Sequence, residues 1–248
     1  MATRDQETLA FPAAVGLTHL RVYDTAAPDG VIGGSPHVHL ASAEAYIPIA
    51  GEGEVQTLSL AGEQTLPLRK GNIVWFEPGV IHRLVNADGE LELLVIMQNA
   101  GLPEAGDAVF TFADGIMADE LAYLNAASLT GNGEEERIAS ALRRRNQAVE
   151  GFEVLARAFR SGDEEPLRTF YQRATALKRA LASEWDLLVE AGPVQATRTT
   201  RQQLAALSQG SFAGLLDARV ASGSSGNNRP GVGMCGVLRA YSPLRSEV

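Results

Sequence analysis

The stretch that decides the fold is Gly34-Ser35-Pro36-His37-Val38-His39-Leu40-Ala41-Ser42-Ala43-Glu44. Residues two apart on a β-strand point to the same face, so His37 and His39 direct both imidazoles to one side with Cα atoms roughly 6.5 Å apart. Two imidazoles so placed converge on one ion. Glu44 follows close enough to enter after a bend and supplies a hard, negatively charged oxygen donor. A further imidazole, His82, comes after Glu77-Pro78-Gly79-Val80-Ile81, a tight turn feeding a new strand. An antiparallel strand beside the first brings it to the same point. The chain has only four histidines, and three occupy these positions; the remaining one, His19, lies in an early alternating strand and is given no role. The opposing reading is a barrel whose histidines serve as satisfied polar groups in a ligand cavity without metal.

Working outward, apolar residues between 15 and 112 come in short, often alternating runs (15–23, 45–49, 55–60, 73–76, 81–85 and 91–97). Turn formers such as Gly51-Glu52-Gly53, Lys70-Gly71, Pro78-Gly79 and Asp88-Gly89 separate them, the pattern of an all-β sandwich or barrel. From Glu134 the period becomes helical. Ile138, Leu142, Val149, Phe152, Leu155 and Phe159 share one helix face, and Leu167, Phe170, Ala174, Leu177, Leu181, Trp185 and Leu188 share a second. Ser161-Gly162 is a helix stop and Asp163 with Pro166 a restart, so an antiparallel hairpin is expected. A weaker third helix runs over about 199–220. The expected organisation is a β-barrel over 1–115, a helical extension over 116–221, and a Gly/Ser-rich linker and tail over 222–248. Whether the apolar residues 232–241 return as a strand is left open.

The paired halves of the histidine pattern carry a resemblance. Gly34, His37, His39, Glu44 and Gly51 reproduce the spacing of the first cupin motif, and Gly71, Gly79, His82 and Asn86 much of the second. The β pattern extends the likeness to about 15–112, and the chain resembles a single-barrel, type-2 cupin domain protein with a helical C-terminal extension. The resemblance implies a mainly β cupin-type double-stranded β-helix (jelly-roll barrel) followed by an α-helical region. It also implies that His37, His39, Glu44 and His82 ligate a metal while Gly51, Gly71 and Gly79 make turns. Glu77 stands where the family has proline, with Pro78 one position later, and Asn72 where aspartate usually follows the glycine; both are turn positions.

Three imidazoles and one carboxylate leave a divalent ion (Fe, Mn, Zn or Ni) with net positive charge and about two open positions for water, oxygen or a chelating substrate. The expected function is a metalloenzyme acting on a small oxygen-rich molecule, most simply an Fe(II)-type oxygenase. The alternatives are a metal-dependent sugar or polyketide isomerase, epimerase or cyclase, and a non-catalytic small-molecule sensor with the helical half as signalling or DNA-binding element. Tyr46 shares the parity of Glu44, which makes it a candidate catalytic hydroxyl or an aromatic wall residue. Trp75 and Phe76 are expected to pack. Arg83, next to His82, faces away from the pocket.

Composition limits the partners. The net charge of −9 and a pI near 5.0 repel nucleic acid and anionic membranes. A single cysteine, Cys235, excludes an internal disulfide, and the first seven residues lack the apolar run of a signal peptide. A cytoplasmic setting and a homodimer without membrane or nucleic-acid partners are expected. Arg143-Arg144-Arg145 reads as the solvated face of the first long helix. Residues 202–219 weakly resemble a helix-turn-helix with Gly210 at the turn. Ser211 sits where an apolar residue would lock such a pair, so DNA binding is disfavoured.

Overall fold

Alternating runs of short strands separated by glycine turns cannot bury both faces unless two sheets close on each other. The computed structural model of the chain, which describes residues 10–99, 101–222 and 230–241, has that arrangement. The strands are β1 (Gly16–Val22), β2 (His37–His39), β3 (Glu44–Ala50), β4 (Gly53–Ser59), β5 (Gly62–Leu68), β6 (Val74–Phe76), β7 (Ile81–Asn86), β8 (Glu92–Met97), β9 (Ala108–Phe110), β10 (Gly231–Val232) and β11 (Gly236–Ala240). One sheet has the order β10-β11-β1-β8-β3-β6, and the other β5-β4-β7-β2-β9. All pairings are antiparallel. The stretch read as linker and tail thus supplies two strands, with β11 running beside β1 from Thr18↔Ala240 to Val22↔Gly236. Most of that linker, residues 223–229, lies outside the described residues, as do the first nine, residue 100 and the last seven.

The period of two assigns each strand residue to a layer. Between the sheets Leu20, Val22, Tyr46, Val55, Leu68, Leu84, Leu93 and Val95 form one core. Val38, Leu58, Ile81 and Val109, at the intervening positions of the five-stranded sheet, face outward into a second core completed by Phe152, Leu155, Leu167 and Phe170 from the helices. Each such side chain contributes roughly 1.5–3 kcal/mol when fully buried, which is why the helical half packs on the barrel.

The helices are α1 (Asp114–Met117), α2 (Glu120–Ala127), α3 (Glu134–Arg160), α4 (Glu165–Lys178), α5 (Ala182–Val189) and α6 (Gln195–Ser208). Asp119 caps α2 by accepting from the Ala122 amide at 2.8 Å. The α3–α4 hairpin is as the sequence indicates. It meets the barrel at Gly151, where an added Cβ would stand 1.9 Å from the Thr111 carbonyl oxygen; only a glycine lets α3 come that close. Thr111 Oγ1 completes the contact by donating to the Ala148 carbonyl at 2.8 Å.

Several expectations need correction. The single helix read through Leu188 is broken by a 3₁₀ turn, Arg179–Leu181, beyond which Trp185 of α5 is turned toward the barrel and donates to the Ala105 carbonyl at 3.1 Å. The third helix starts at Gln195, after a π-helical turn Glu190–Val194, and stops at Ser208. From Gly210 to residue 222 the described residues hold only a 3₁₀ turn, Ala213–Leu215, so no second helix forms there and the helix-turn-helix reading has no counterpart. Arg143-Arg144-Arg145 is not uniformly solvated. Arg143 is exposed, whereas Arg145 is 1% exposed and donates to the carbonyls of Thr25, Ala26 and Gly33. Arg144 donates to the Ala127 and Gly233 carbonyls and lies over the Phe110 ring. Helical charge pattern alone misses this because the acceptors are loop carbonyls distant in sequence. Trp75, expected to pack, is 74% exposed, since on β6 it alternates with the inward Val74 and Phe76. No helix among the described residues is long and apolar enough to cross a membrane.

Candidate metal centre

Strand register brings the four residues together from both sheets. His37 on β2 lies directly opposite His82 on β7, while Glu44 on β3 lies opposite Phe76 on β6 and Met97 on β8. His39 is two residues along β2 on the inner face. The turn that feeds β7 requires Gly79 at φ 91°, and the Gly79 amide donates to the His39 carbonyl at 2.8 Å, tying the two histidine strands. The sequence-derived set is therefore brought together entire: His37, His39, Glu44 and His82 are all buried, with one ligand atom from each within 4.8 Å of the others.

The outer nitrogens fix the chemistry of the inner ones. His37 Nδ1 lies 2.9 Å from the Ser35 carbonyl, His82 Nδ1 3.0 Å from the Val80 carbonyl, and His39 Nδ1 3.1 Å from Asp107 Oδ2. A carbonyl or carboxylate only accepts, so each Nδ1 carries the proton and each Nε2 keeps its lone pair. These lone pairs face one another and a carboxylate. His82 Nε2 is 3.1 Å from His37 Nε2 and 3.1 Å from Glu44 Oε2, which is 3.4 Å from His39 Nε2. Glu44 Oε2 has no hydrogen-bond partner among the described residues. Four acceptors gathered in a dry space repel unless a cation lies among them. Their spacing suits one, because neighbouring ligands bonded at about 2.1 Å stand about 3 Å apart. The group is consistent with binding a divalent ion.

The electrostatics agree. Burial holds His37 well below the ordinary imidazole range, and the neighbouring His82 and His39 push it the same way, which keeps it neutral as a ligand must be. Burial also opposes a charge on His39, but the hydrogen bond it donates to Asp107 and the charges of Glu44 and Asp107 outweigh it and raise that group. Burial would raise Glu44, yet His82 and His39 leave its carboxyl below its ordinary value.

Tyr46 is fully buried, and its ring lies 6.2 Å from that of His82. Its hydroxyl senses the Glu44 charge but closes no hydrogen bond. The Phe76 ring lies 4.4 Å from that of His82, tilted by 36°. With Thr57, Gln64, Leu66, Val74 and Trp75 it lines a cavity of about 230 Å³ formed by β4, β5 and β6. A larger one, about 400 Å³, lies between α3 and α4 and touches none of the four residues; the donor set, not cavity size, marks the site. Arg83 points away from it, paired with Asp29 at 2.5 and 3.1 Å. His19 pairs with Glu92 at 2.7 Å. Two residues of the site escaped sequence reasoning. Asp107 sits in no recognisable motif, and Cys235, buried with its Sγ 4.0 Å from His37 Nδ1, arrives on the returning tail.

Residues 24–97 match the family model described as Cupin_2, cupin domain. Among solved structures, the chain is similar to the TDP-fucose-3,4-ketoisomerase WlaRA from Campylobacter jejuni, at 18% identity and a TM-score of 0.28, covering 33% of this chain and 57% of that one. It is also similar to the Drosophila melanogaster CENP-C cupin domain, at 20% identity and a TM-score of 0.27, covering 34% and 56%. A third is the DMSP lyase DddQ from Ruegeria pomeroyi DSS-3, at 20% identity and a TM-score of 0.28, covering 36% and 40%. No curated protein matches the chain. With the family match lying across the paired sheets and enclosing all four buried donors, residues 24–97 are a cupin domain, and a helical region follows it.

Proposed function

We propose that this chain is a divalent-metal enzyme acting on a small oxygen-rich molecule, most simply an Fe(II)-type oxygenase. One observation carries the reading: three Nε2 atoms, each with its outer nitrogen committed to an acceptor, converge with an unpartnered carboxylate oxygen between the sheets. His37, His39, Glu44 and His82 would hold the ion. Bound there, Fe(II) would supply chemistry with O₂, whereas Mn, Zn or Ni would supply Lewis-acid polarisation of a carbonyl.

The surrounding residues prepare the site for such a ligand. Phe76 touches the His82 ring and also lines the 230 Å³ cavity, so it would present an aromatic wall to a ligand that enters there. Thr57, opposite His82 in the sheet, uses its hydroxyl within the sheet by donating to the Gln64 carbonyl at 3.3 Å.

The second reading is a metal-dependent isomerase, epimerase or cyclase. Tyr46 favours it. Burial, with Glu44 nearby, raises this phenol well above its ordinary value, so it remains protonated and can donate a hydrogen bond to a bound ligand oxygen.

The deciding experiment is metal analysis of protein purified without chelators or nickel resin, followed by anaerobic reconstitution and a screen of small hydroxy- and keto-acids. Oxygen uptake dependent on Fe(II) and a substrate is expected. Conversion supported by Zn or Mn without oxygen uptake would reject the oxygenase and leave the isomerase.

A further inference from the structure

His39 alone among the three histidines has its outer nitrogen against a carboxylate instead of a backbone carbonyl. That carboxylate, Asp107, is fully buried and 68 positions away in sequence. Its two oxygens divide the work. Oδ2 faces His39 Nδ1, while Oδ1 accepts from the amides of Leu40 and Ala41, both at 2.8 Å. Asp107 therefore grips the imidazole and the backbone just beyond it, fixing ring rotation as well as tautomer.

The helical region bears on this grip. Asp107 closes the loop 101–107, and its amide donates to the Leu102 carbonyl at 3.1 Å. Trp185 on α5 donates to Ala105 in that loop at 3.1 Å. Lys178, at the end of α4, lies so near that a Cβ on Gly106 would stand 3.3 Å from its Nζ. A parallel contact supports His82: the Tyr171 hydroxyl on α4 donates at 2.7 Å to the carbonyl of Gly79, next to the Val80 whose oxygen receives the His82 proton.

We infer that Asp107 is the positioning residue of this centre, holding His39 with its proton on Nδ1 and its Nε2 lone pair inward, and that α4 and α5 keep the Asp107 loop in place. The inference rests on the metal reading above and gives the C-terminal helices a part in it. The carboxylate is required because both its oxygens accept. An asparagine that kept its oxygen on the Leu40 and Ala41 amides would aim an N–H at His39 Nδ1. The imidazole would then move its proton to Nε2, the atom that faces the ion.

The test uses full-length protein and Asp107→Asn, each stripped of metal and titrated with Co(II), together with ¹⁵N NMR of the histidine rings in the metal-free state. Asp107→Asn is expected to lower Co(II) affinity about 10–100-fold, the usual effect of losing an outer partner, and to move the His39 proton to Nε2. Trp185→Phe, which removes one N–H and leaves Asp107 unchanged, should lower affinity in the same direction by less; it serves also if Asp107→Asn does not fold. Wild-type Co(II) affinity in Asp107→Asn, or a neutral His39 in the metal-free wild type, observed at a pH above its titration, with its proton on Nε2 and none on Nδ1, would overturn the inference. Failure of the wild type to bind Co(II), with His39 protonated on Nδ1, would instead strike the metal reading while leaving the hydrogen bond established.

Discussion

The Nε2 atoms of His37 and His82 lie 3.1 Å apart across 45 positions of sequence, and both outer nitrogens are already committed to carbonyls. Neither ring can satisfy the other, and the contact is consistent with a shared cation.

Removal of either ring should therefore abolish binding rather than tune it. His37→Ala and His82→Ala are expected to lose metal affinity by more than the ~10–100-fold typical of an outer partner, with metal content measured after purification. His19→Ala, whose ring pairs with Glu92 away from the centre, should retain full occupancy. Equal loss in all three would show that the ion sits elsewhere.

The buried arginine of α3 should dominate stability over its exposed neighbour. Arg145→Met leaves the Thr25, Ala26 and Gly33 carbonyls without their donor, which is expected to cost about 3 kcal/mol given ~1–3 kcal/mol per unsatisfied buried group. Arg143→Ala should stay within about 0.5 kcal/mol of wild type. Urea unfolding of the two variants separates them.

At Gly151 the expected effect is steric. Any side chain there meets the Thr111 carbonyl and must push α3 off the barrel, so Gly151→Ala should destabilise by about 1–3 kcal/mol. At this chain length each kcal/mol lowers the melting temperature by roughly 2–4 °C. An unchanged melting temperature would mean that the helix does not seat at this point.

Acid should weaken metal binding through His39 and not through His37. The ordinary imidazole value is 6.5 and His39 is raised above it, so its proton begins to compete with the ion from above that pH downward, while His37 stays neutral. In the metal-free protein, the stability contributed by the raised His39 is complete below pH 6.5 and lost as pH rises through its folded value. Glu44 and Asp107 have the opposite sign. Burial would raise both, but their histidine partners hold them below the ordinary 4.5 and 3.8, so their contribution is complete above those values and lost as pH falls through the lowered ones. Denaturant unfolding of metal-free protein across the acid range should show a shallower loss in Asp107→Asn than in the wild type.

The four donors that the structure brings together were legible in the sequence from the paired histidines and the cupin-like motif around Glu44 and His82, and the passage from strands to helices from the change of period. Alternation puts His37 and His39 on one face whatever lies around them, and a 3.6-residue period marks the face of α3 that carries Phe152 and Leu155. What only the tertiary structure decided are contacts between segments with no shared period. Asp107 reaches His39 from a loop. Arg145 reads in sequence as one more charge on a helix, but finds its acceptors in the carbonyls of a loop more than a hundred residues earlier. Residues 236–240 carry too few alternations to declare a strand until β1 offers its free edge. Local pattern sets which way a side chain points on its own element; which distant group meets it depends on how the two sheets and the helices pack.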